Sequence, residues 1–365
     1  MDTNPPEAHS ESSNITLLVG AESPFHSERR VRFAPSAPFA AKPSDPDCLA
    51  LFATKLPPAR PPFPSFPIWI SRLRRALARG WSDRHAQPMP AAPRVFDSHS
   101  HAFPDHLATS AIQQLSVALE GSPFRAHHDG SVAGLLGAMD AAGIEVALLC
   151  SVVTTPSQVT KATDWSAKIA SPRVIPFASI HPDFDAVEAE VERIAALGIR
   201  GIKFHSQYMN CPADDPRALR IARAAARCNL AMTFHSGHDI AFPFTELASP
   251  AQLRRLHDAV PDLRLLCCHL GGWQRWEEAL ELLAGLPLYL ETSFALGQCP
   301  QPLLERLIAK HPREYFLFGT DSPWLNPAEE LARFRALPLG AEAQRLALWD
   351  NAWRYLGLPV PAAAV

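Results

Sequence analysis

Residues 94–101 read RVFDSHSH, a short apolar run from Arg94 that closes on Asp97, Ser98, His99, Ser100 and His101. Seven later runs are built the same way, apolar residues ended by polar or small ones. They start at Val146 (VALLCSVV), Val174 (VIPFASI), Gly201 (GIKFHSQ), Ala231 (AMTFHSG), Leu263 (LRLLCCH), Leu288 (LYLETSF) and Tyr315 (YFLFGTD). Successive starts lie 52, 28, 27, 30, 32, 25 and 27 residues apart. A strand, a helix and two short loops take about 25–30 residues, so each interval holds one βα unit. Eight units in a row predict an α/β protein, a (β/α)8 TIM barrel, whose usual length is about 250 residues. A doubly wound open sheet would carry a Gly-rich phosphate turn after its first strand, where this chain has a His pair. The one wide interval predicts an extra segment, Ala102 to Gly130, before a helix over Ser131–Ala142, with Ser131 at its N-cap and Gly143 just past its end.

Ahead of the barrel the chain changes character. Of 36 prolines in the 365 residues, 15 fall in the first 92, and LPPARPPFPSFP (56–67) lacks the backbone donors a helix or sheet interior needs. The expected organisation is a disordered Pro/Arg-rich N-terminal arm over 1–92, the barrel over 93–358 and a tail over 359–365. Within the arm, Ile70, Leu73, Leu77 and Trp81 recur at helical spacing beside four arginines, a transient helix or a basic amphipathic one. Met89 stands just before the first strand, and translation is expected to start there, leaving residues 1–88 unmade.

The whole-chain net charge of −3 offers no attraction for nucleic acid, and no apolar run approaches the ~20 residues of a membrane span. Seven scattered cysteines match neither a disulfide framework nor a zinc-finger spacing, which points to a reducing, cytoplasmic setting.

Barrel enzymes place their chemistry at the C-terminal strand ends. Five of the eight runs end there in ionisable residues. Residues two apart share a strand face, so His99 and His101 are expected to point into the barrel alongside Asp97, and Lys203 and His205 to share a face of the fourth strand. His235, His269 and Asp321 close the fifth, sixth and eighth runs. Each has an ordinary reading: a polar loop for the His pair, a satisfied core residue for a lone His, a helix N-cap for Asp321. Together they are neutral nitrogens and an anionic oxygen at one end of one barrel, donors suited to zinc and other first-row divalent ions. Cys267, one pleat below the rim, and Cys268, expected to face outward, read as core.

The motifs DSHSH, MDAAGIEVALL, GIRGIKFH, FHSG, CHLGGW, YLETS, FGTDSPW and NAWRYLGL, in that order, carry a family likeness. From about Arg94 to Leu358 the chain resembles the amidohydrolase superfamily, in its amidohydrolase-related branch of metal-dependent TIM-barrel hydrolases. That branch also holds non-oxidative decarboxylases similar to aminocarboxymuconate semialdehyde decarboxylase. The resemblance implies a metal shell of His99, His101, His235 and Asp321, one Zn2+ with a second not excluded. It also implies a substrate-binding or polarising role for His269 and a proton-accepting role for Asp321. Lys203 matches a lysine that some members carbamylate to bridge two metals, or that stays an ammonium holding a substrate anion. Ser206 and Gln207 stand where relatives often carry a proline and an acid.

The first functional expectation is a hydrolase in which metal-activated water attacks an amide, ester or lactone carbonyl of a small molecule, with Asp321 and His269 moving protons. The alternatives are a non-oxidative decarboxylase of a small carboxylated ring or enoic acid, and a catalytically silent metal-binding barrel. His205, Gln207, His181 and Trp324 are the expected substrate contacts. A small molecule is the expected partner, with a homodimer possible.

Overall fold

The computed structural model describes residues 94–242 and 245–362. The expectations placed on 1–92, including the basic helix and the start at Met89, lie outside the described residues, as does the end of the tail.

The eight apolar runs form eight strands: β1 (Phe96–Ser100), β2 (Val146–Cys150), β3 (Val174–Ser179), β4 (Gly201–Phe204), β5 (Ala231–Phe234), β6 (Leu265–Cys267), β7 (Tyr289–Glu291) and β8 (Phe316–Leu317). They pair in parallel, in chain order from β1 to β8. Past the end of β8 the chain turns back onto β1. Ser98 N donates to Phe318 O at 2.9 Å and Asp321 N to His99 O at 2.7 Å, which brings the ring to near closure. The protein is a TIM barrel.

The wide first interval contains α1 (Asp105–Ala118) as well as α2 (Val132–Ala142). Ser131 Oγ caps α2 by accepting from Gly134 N at 2.9 Å, and Gly143 ends it in the left-handed region at φ 69°. One helix then follows each strand up to β7: α3 (Val159–Ile169), α4 (Val187–Ala196), α5 (Pro216–Arg227), α6 (Pro250–Ala259), α7 (Trp276–Leu282) and α8 (Gln301–Lys310). After β8 come α9 (Pro327–Arg335), α10 (Ala341–Arg345) and α11 (Asn351–Tyr355).

Strand alternation divides the core in two. Ile202, Phe204, Met232, Phe234 and Cys267 pack outward against helix residues such as Ile221 and Leu253. Phe96, Phe177, Leu266 and Leu317 fill the interior with Trp349, Ala352 and Tyr355 of the C-terminal segment. At Gly201 a Cβ would lie 2.3 Å from the Phe177 ring, so only glycine lets that ring cross the interior.

The same alternation decides which polar residues reach the site. With Ile202 and Phe204 outward, Lys203 faces in. Because Cys267 faces the helices, Cys268 faces the barrel interior, opposite to the sequence-based expectation. On β1, Val95 is outward and Phe96 inward, so unbroken alternation would turn His99 away. The register slips instead: Asp97 pairs with Ala147 and Ser100 with Leu149, three residues against two. This extra residue turns His99 inward. Asp97 does not join it, another correction. Its carboxylate accepts from Thr320 Oγ1 at 2.6 Å, Thr320 N at 2.9 Å and His99 N at 3.1 Å, clamping β1 to the β8 turn. Burial raises that carboxyl to about 7 against these bonds.

Candidate metal centre

Four imidazoles meet at the C-terminal ends of β1, β5 and β6, and each has one nitrogen committed to an atom that can only accept. His99 Nδ1 lies 3.1 Å from Glu291 Oε1, His101 Nδ1 2.8 Å from Cys150 O, His269 Nδ1 3.1 Å from Ser293 O and His235 Nε2 2.9 Å from His238 O. Those nitrogens therefore carry the protons, and in the neutral rings His99 Nε2, His101 Nε2, His269 Nε2 and His235 Nδ1 are bare. Burial holds His99 down at about 4 and His235 well below its usual range, so both are neutral at pH 7.

The bare nitrogens face one another. His101 Nε2 is 3.2 Å from His99 Nε2 and 3.0 Å from Asp321 Oδ1, and His269 Nε2 is 3.1 Å from His235 Nδ1. Acceptors at such distances with no proton between them repel, and a cation relieves this. Asp321 supports that reading. Its Oδ1 is buried and makes no hydrogen bond among the described residues, which is costly unless an ion satisfies it. Asp321 sits at φ 57°, a left-handed backbone that presents its carboxylate to the imidazoles. The donor set fits a divalent metal ion.

Three groups of donors lie close enough to share an ion: His99, His101 and Asp321; His99, Cys268 and His269; and His205, His235 and Asp239. Of the four expected ligands, three form the first group. The fourth, His235, meets it through His269, whose Nε2 is 4.0 Å from Asp321 Oδ2. Lys203, fully buried, donates to His99 Nε2 at 3.1 Å and Cys268 Sγ at 3.4 Å.

The residue that sequence reasoning passed over is Glu291, at the end of β7. Oε1 accepts from His99 Nδ1, from His269 N at 2.9 Å and from Ser293 Oγ at 2.8 Å, and Oε2 accepts from Ser293 N at 2.6 Å. Burial works to raise this carboxyl, but the bond from His99 and the neighbouring imidazoles bring it down to about 2. The signal was present in the sequence: a carboxylate closing the apolar run LYLE, the pattern used to select Asp321.

Around the centre, His205 stacks on His235 with ring centroids 4.2 Å apart, and its Nε2 lies 3.2 Å from Asp239 Oδ2. Gln207 Nε2 donates to Gly237 O at 3.0 Å and ties the β4 and β5 loops together, with its Oε1 buried and unpaired among the described residues. Two further expected substrate contacts have local partners. His181 Nδ1 accepts from Asp183 N within its own loop, and half-buried Trp324 is anchored by its backbone to Asp321 O. Aromatic rings flank the imidazoles on two sides. Phe294 stands edge-on to His269 at 5.9 Å and meets Phe124 and Trp273, while Tyr208 stands edge-on to His205 at 4.6 Å and meets Phe242. Phe124 comes from the extra segment after β1, whose His128 Nε2 lies 3.1 Å from Ser322 Oγ of the β8 turn.

The model of the family described as Amidohydrolase matches residues 96–358. The chain belongs to this amidohydrolase family. No curated protein matches its sequence. Among solved structures it is similar to an uncharacterized TIM-barrel protein of Bordetella bronchiseptica (21% identity, 72% of this chain and 98% of that one, TM-score 0.60). It is also similar to 2,6-dihydroxybenzoate decarboxylase from Rhizobium (17%, 73% and 99%, TM-score 0.53). A third is 5-carboxyvanillate decarboxylase from Novosphingobium aromaticivorans with bound manganese and a nitrobenzoic acid (16%, 73% and 97%, TM-score 0.56). At these identities the likeness is one of fold. Among the described residues of this amidohydrolase-family chain, no helix is long and apolar enough to cross a membrane.

Proposed function

We propose that this chain is a metal-dependent, non-oxidative decarboxylase of a small carboxylated aromatic ring. The observation that carries the reading is the placement of aromatic rings directly against the imidazoles, Phe294 on His269 and Tyr208 on His205, which suits a flat ring held beside a cation. The activities of the solved decarboxylases with this fold support it. The six cysteines of the described residues are all free, which suits a reducing cytoplasm.

His99, His101, His235 and Asp321 would hold the ion, which when bound supplies positive charge that fixes and polarises the substrate's oxygens. The flanking aromatic rings orient the substrate plane and exclude water. His269 carries the proton. Its Nδ1 is tied to Ser293 O, so a proton added at Nε2 makes an imidazolium, with Asp321 at 4.0 Å and Glu291 at 3.9 Å. That proton passes from Nε2 to the ring carbon bearing the carboxylate. The carbon–carboxylate bond then breaks, its electron pair returns to the ring, and carbon dioxide leaves. The family's own description favours a second reading, hydrolysis of an amide, ester or lactone, with Asp321 accepting the proton from water.

Carbon dioxide release and incorporation of labelled water, measured on a panel of hydroxylated benzoates and of lactones with and without chelator, separate the two. Chelator-sensitive carbon dioxide release is expected, and labelled oxygen in the product would replace decarboxylation by hydrolysis. His269→Gln should lower carbon dioxide release by about 10²–10⁴-fold, the usual contribution of a positioned proton donor.

A further inference from the structure

We propose that Cys268 is a donor to the ion of this centre and biases it towards a soft or borderline metal such as zinc or cobalt(II), and away from manganese. The inference rests on the reading of the imidazole cluster as a cation site, and on nothing about the reaction.

Cys268 lies fully buried inside the barrel, with Sγ in the group that contains His99 and His269. Two observations show that this part of the centre attracts positive charge. A cation already stands against it: the Lys203 ammonium contacts both Cys268 Sγ and His99 Nε2. The orphaned Oδ1 of Asp321 lies 3.7 Å from the same His99 Nε2. His99 thus belongs to two overlapping donor sets, nitrogen and oxygen with His101 and Asp321, nitrogen and sulfur with Cys268 and His269. A hard ion is served by the first, and an ion that tolerates thiolate gains from the second.

Ligation has a defined balance. The S–H proton of Cys268 leaves to solvent as the metal–sulfur bond forms. His99 Nε2 has one lone pair, so it must release Lys203 to bind an ion. Sulfur has more than one, so Cys268 can keep its bond from the Lys203 ammonium while ligating. Lys203 then neutralises the thiolate, a role that needs no carbamate.

The experiment uses the full chain, stripped of metal and titrated with cobalt(II) as the probe. Wild type is expected to bind cobalt(II) and to show near-ultraviolet sulfur-to-cobalt charge-transfer absorption, which Cys268→Ser abolishes while retaining visible cobalt bands. Competition titrations should show zinc affinity falling about 10–100-fold in Cys268→Ser, the range typical of lost support at a metal site, while manganese affinity barely moves. Cobalt binding by wild type without the sulfur band overturns the proposal and leaves the cation site standing. The same band in Cys268→Ser assigns it to another cysteine and also overturns it. Failure of wild type to bind cobalt(II) at all overturns the cation reading itself. Cys268→Ala repeats the comparison should the serine variant fold poorly, and absence of the band from wild type overturns the proposal without either.

Discussion

Glu291 offers no atom to the face that the imidazoles turn to one another, yet it decides which nitrogens that face shows. By accepting from His99 Nδ1 it leaves Nε2 bare. By accepting from His269 N and from Ser293 it seats the turn whose carbonyl fixes the His269 tautomer. All its acceptor positions meet donors, so an amide cannot replace it: one NH2 would face an N–H. Glu291→Gln is therefore expected to weaken divalent-metal affinity by about 10–100-fold, read by titration against a competing chelator. Unchanged affinity would show that the tautomers are set elsewhere. Gly319 protects the same carboxylate, since a Cβ there would lie 2.3 Å from Glu291 Oε2. Gly319→Ala should cost about 1–3 kcal/mol of stability by chemical denaturation, the range for overpacking, and should also loosen metal binding. At this scale the sequence shows which residue types stand at strand ends but not their rotations. His99 and Cys268 were both assigned a face by simple alternation. His99 does face inward as expected, though it is the extra residue in β1 that turns it there, whereas the outward packing of Cys267, invisible before the helix layer is known, reverses the assignment for Cys268.

Whole elements were far more legible than side-chain directions. The apolar runs beginning at Val146, Val174, Gly201 and Ala231 start at the very residues that open β2, β3, β4 and β5. The reason is physical: a strand buried on both faces is an uninterrupted apolar run, and the loops that end it are polar. α1 was not legible. Its fourteen residues bury only Ala108, so their pattern lacks the apolar stripe that betrays a packed helix. The junction between α8 and β8 carries a titration effect away from the metal centre. His311 is buried, its Nδ1 accepts from Gly285 N at 3.4 Å, and its Nε2 faces Tyr315 O at 3.3 Å. The neutral ring satisfies both partners, whereas a second proton would face an N–H. Burial accordingly lowers this imidazole to about 4 from its ordinary 6.5. An unfolded chain takes up this proton near pH 6.5 and the folded chain resists it to about 4, so protonation favours unfolding between those values. Stability held above pH 6.5 is lost as the pH falls through 4, by about 3 kcal/mol at most. His311→Gln should lose less stability than wild type between pH 7 and pH 4 in denaturant titrations. Parallel losses would remove His311 from the acid response.

On the scale of the whole barrel, the two ends make opposite demands on folding. One end is closed by packing: Trp349, Ala352 and Tyr355 enter the interior, and Tyr355 OH meets Thr233 Oγ1 at 2.7 Å. The other gathers bare nitrogens and the carboxylates of Asp321 and Glu291, which gain from a cation that the unfolded chain cannot bind as well. An ion at 100 times its dissociation constant adds about 2.7 kcal/mol to the folded state. For a chain of this size that is several degrees of Tm, at about 2–4 °C per kcal/mol. Tyr355→Phe removes one hydrogen bond and leaves the buried Thr233 hydroxyl unpaired, a loss of about 1–3 kcal/mol. β5 carries Thr233, whose hydroxyl meets the packed end, and leads directly into His235, two residues on, so the strand is where the ends would communicate. The expected outcome is additivity: Tyr355→Phe lowers Tm with and without metal, and the increment on adding zinc stays that of wild type within about 0.5 kcal/mol. A shrunken increment in the variant would mean that the floor of the barrel positions His235, and would make the hydroxyl pair at the packed end part of the metal centre's support.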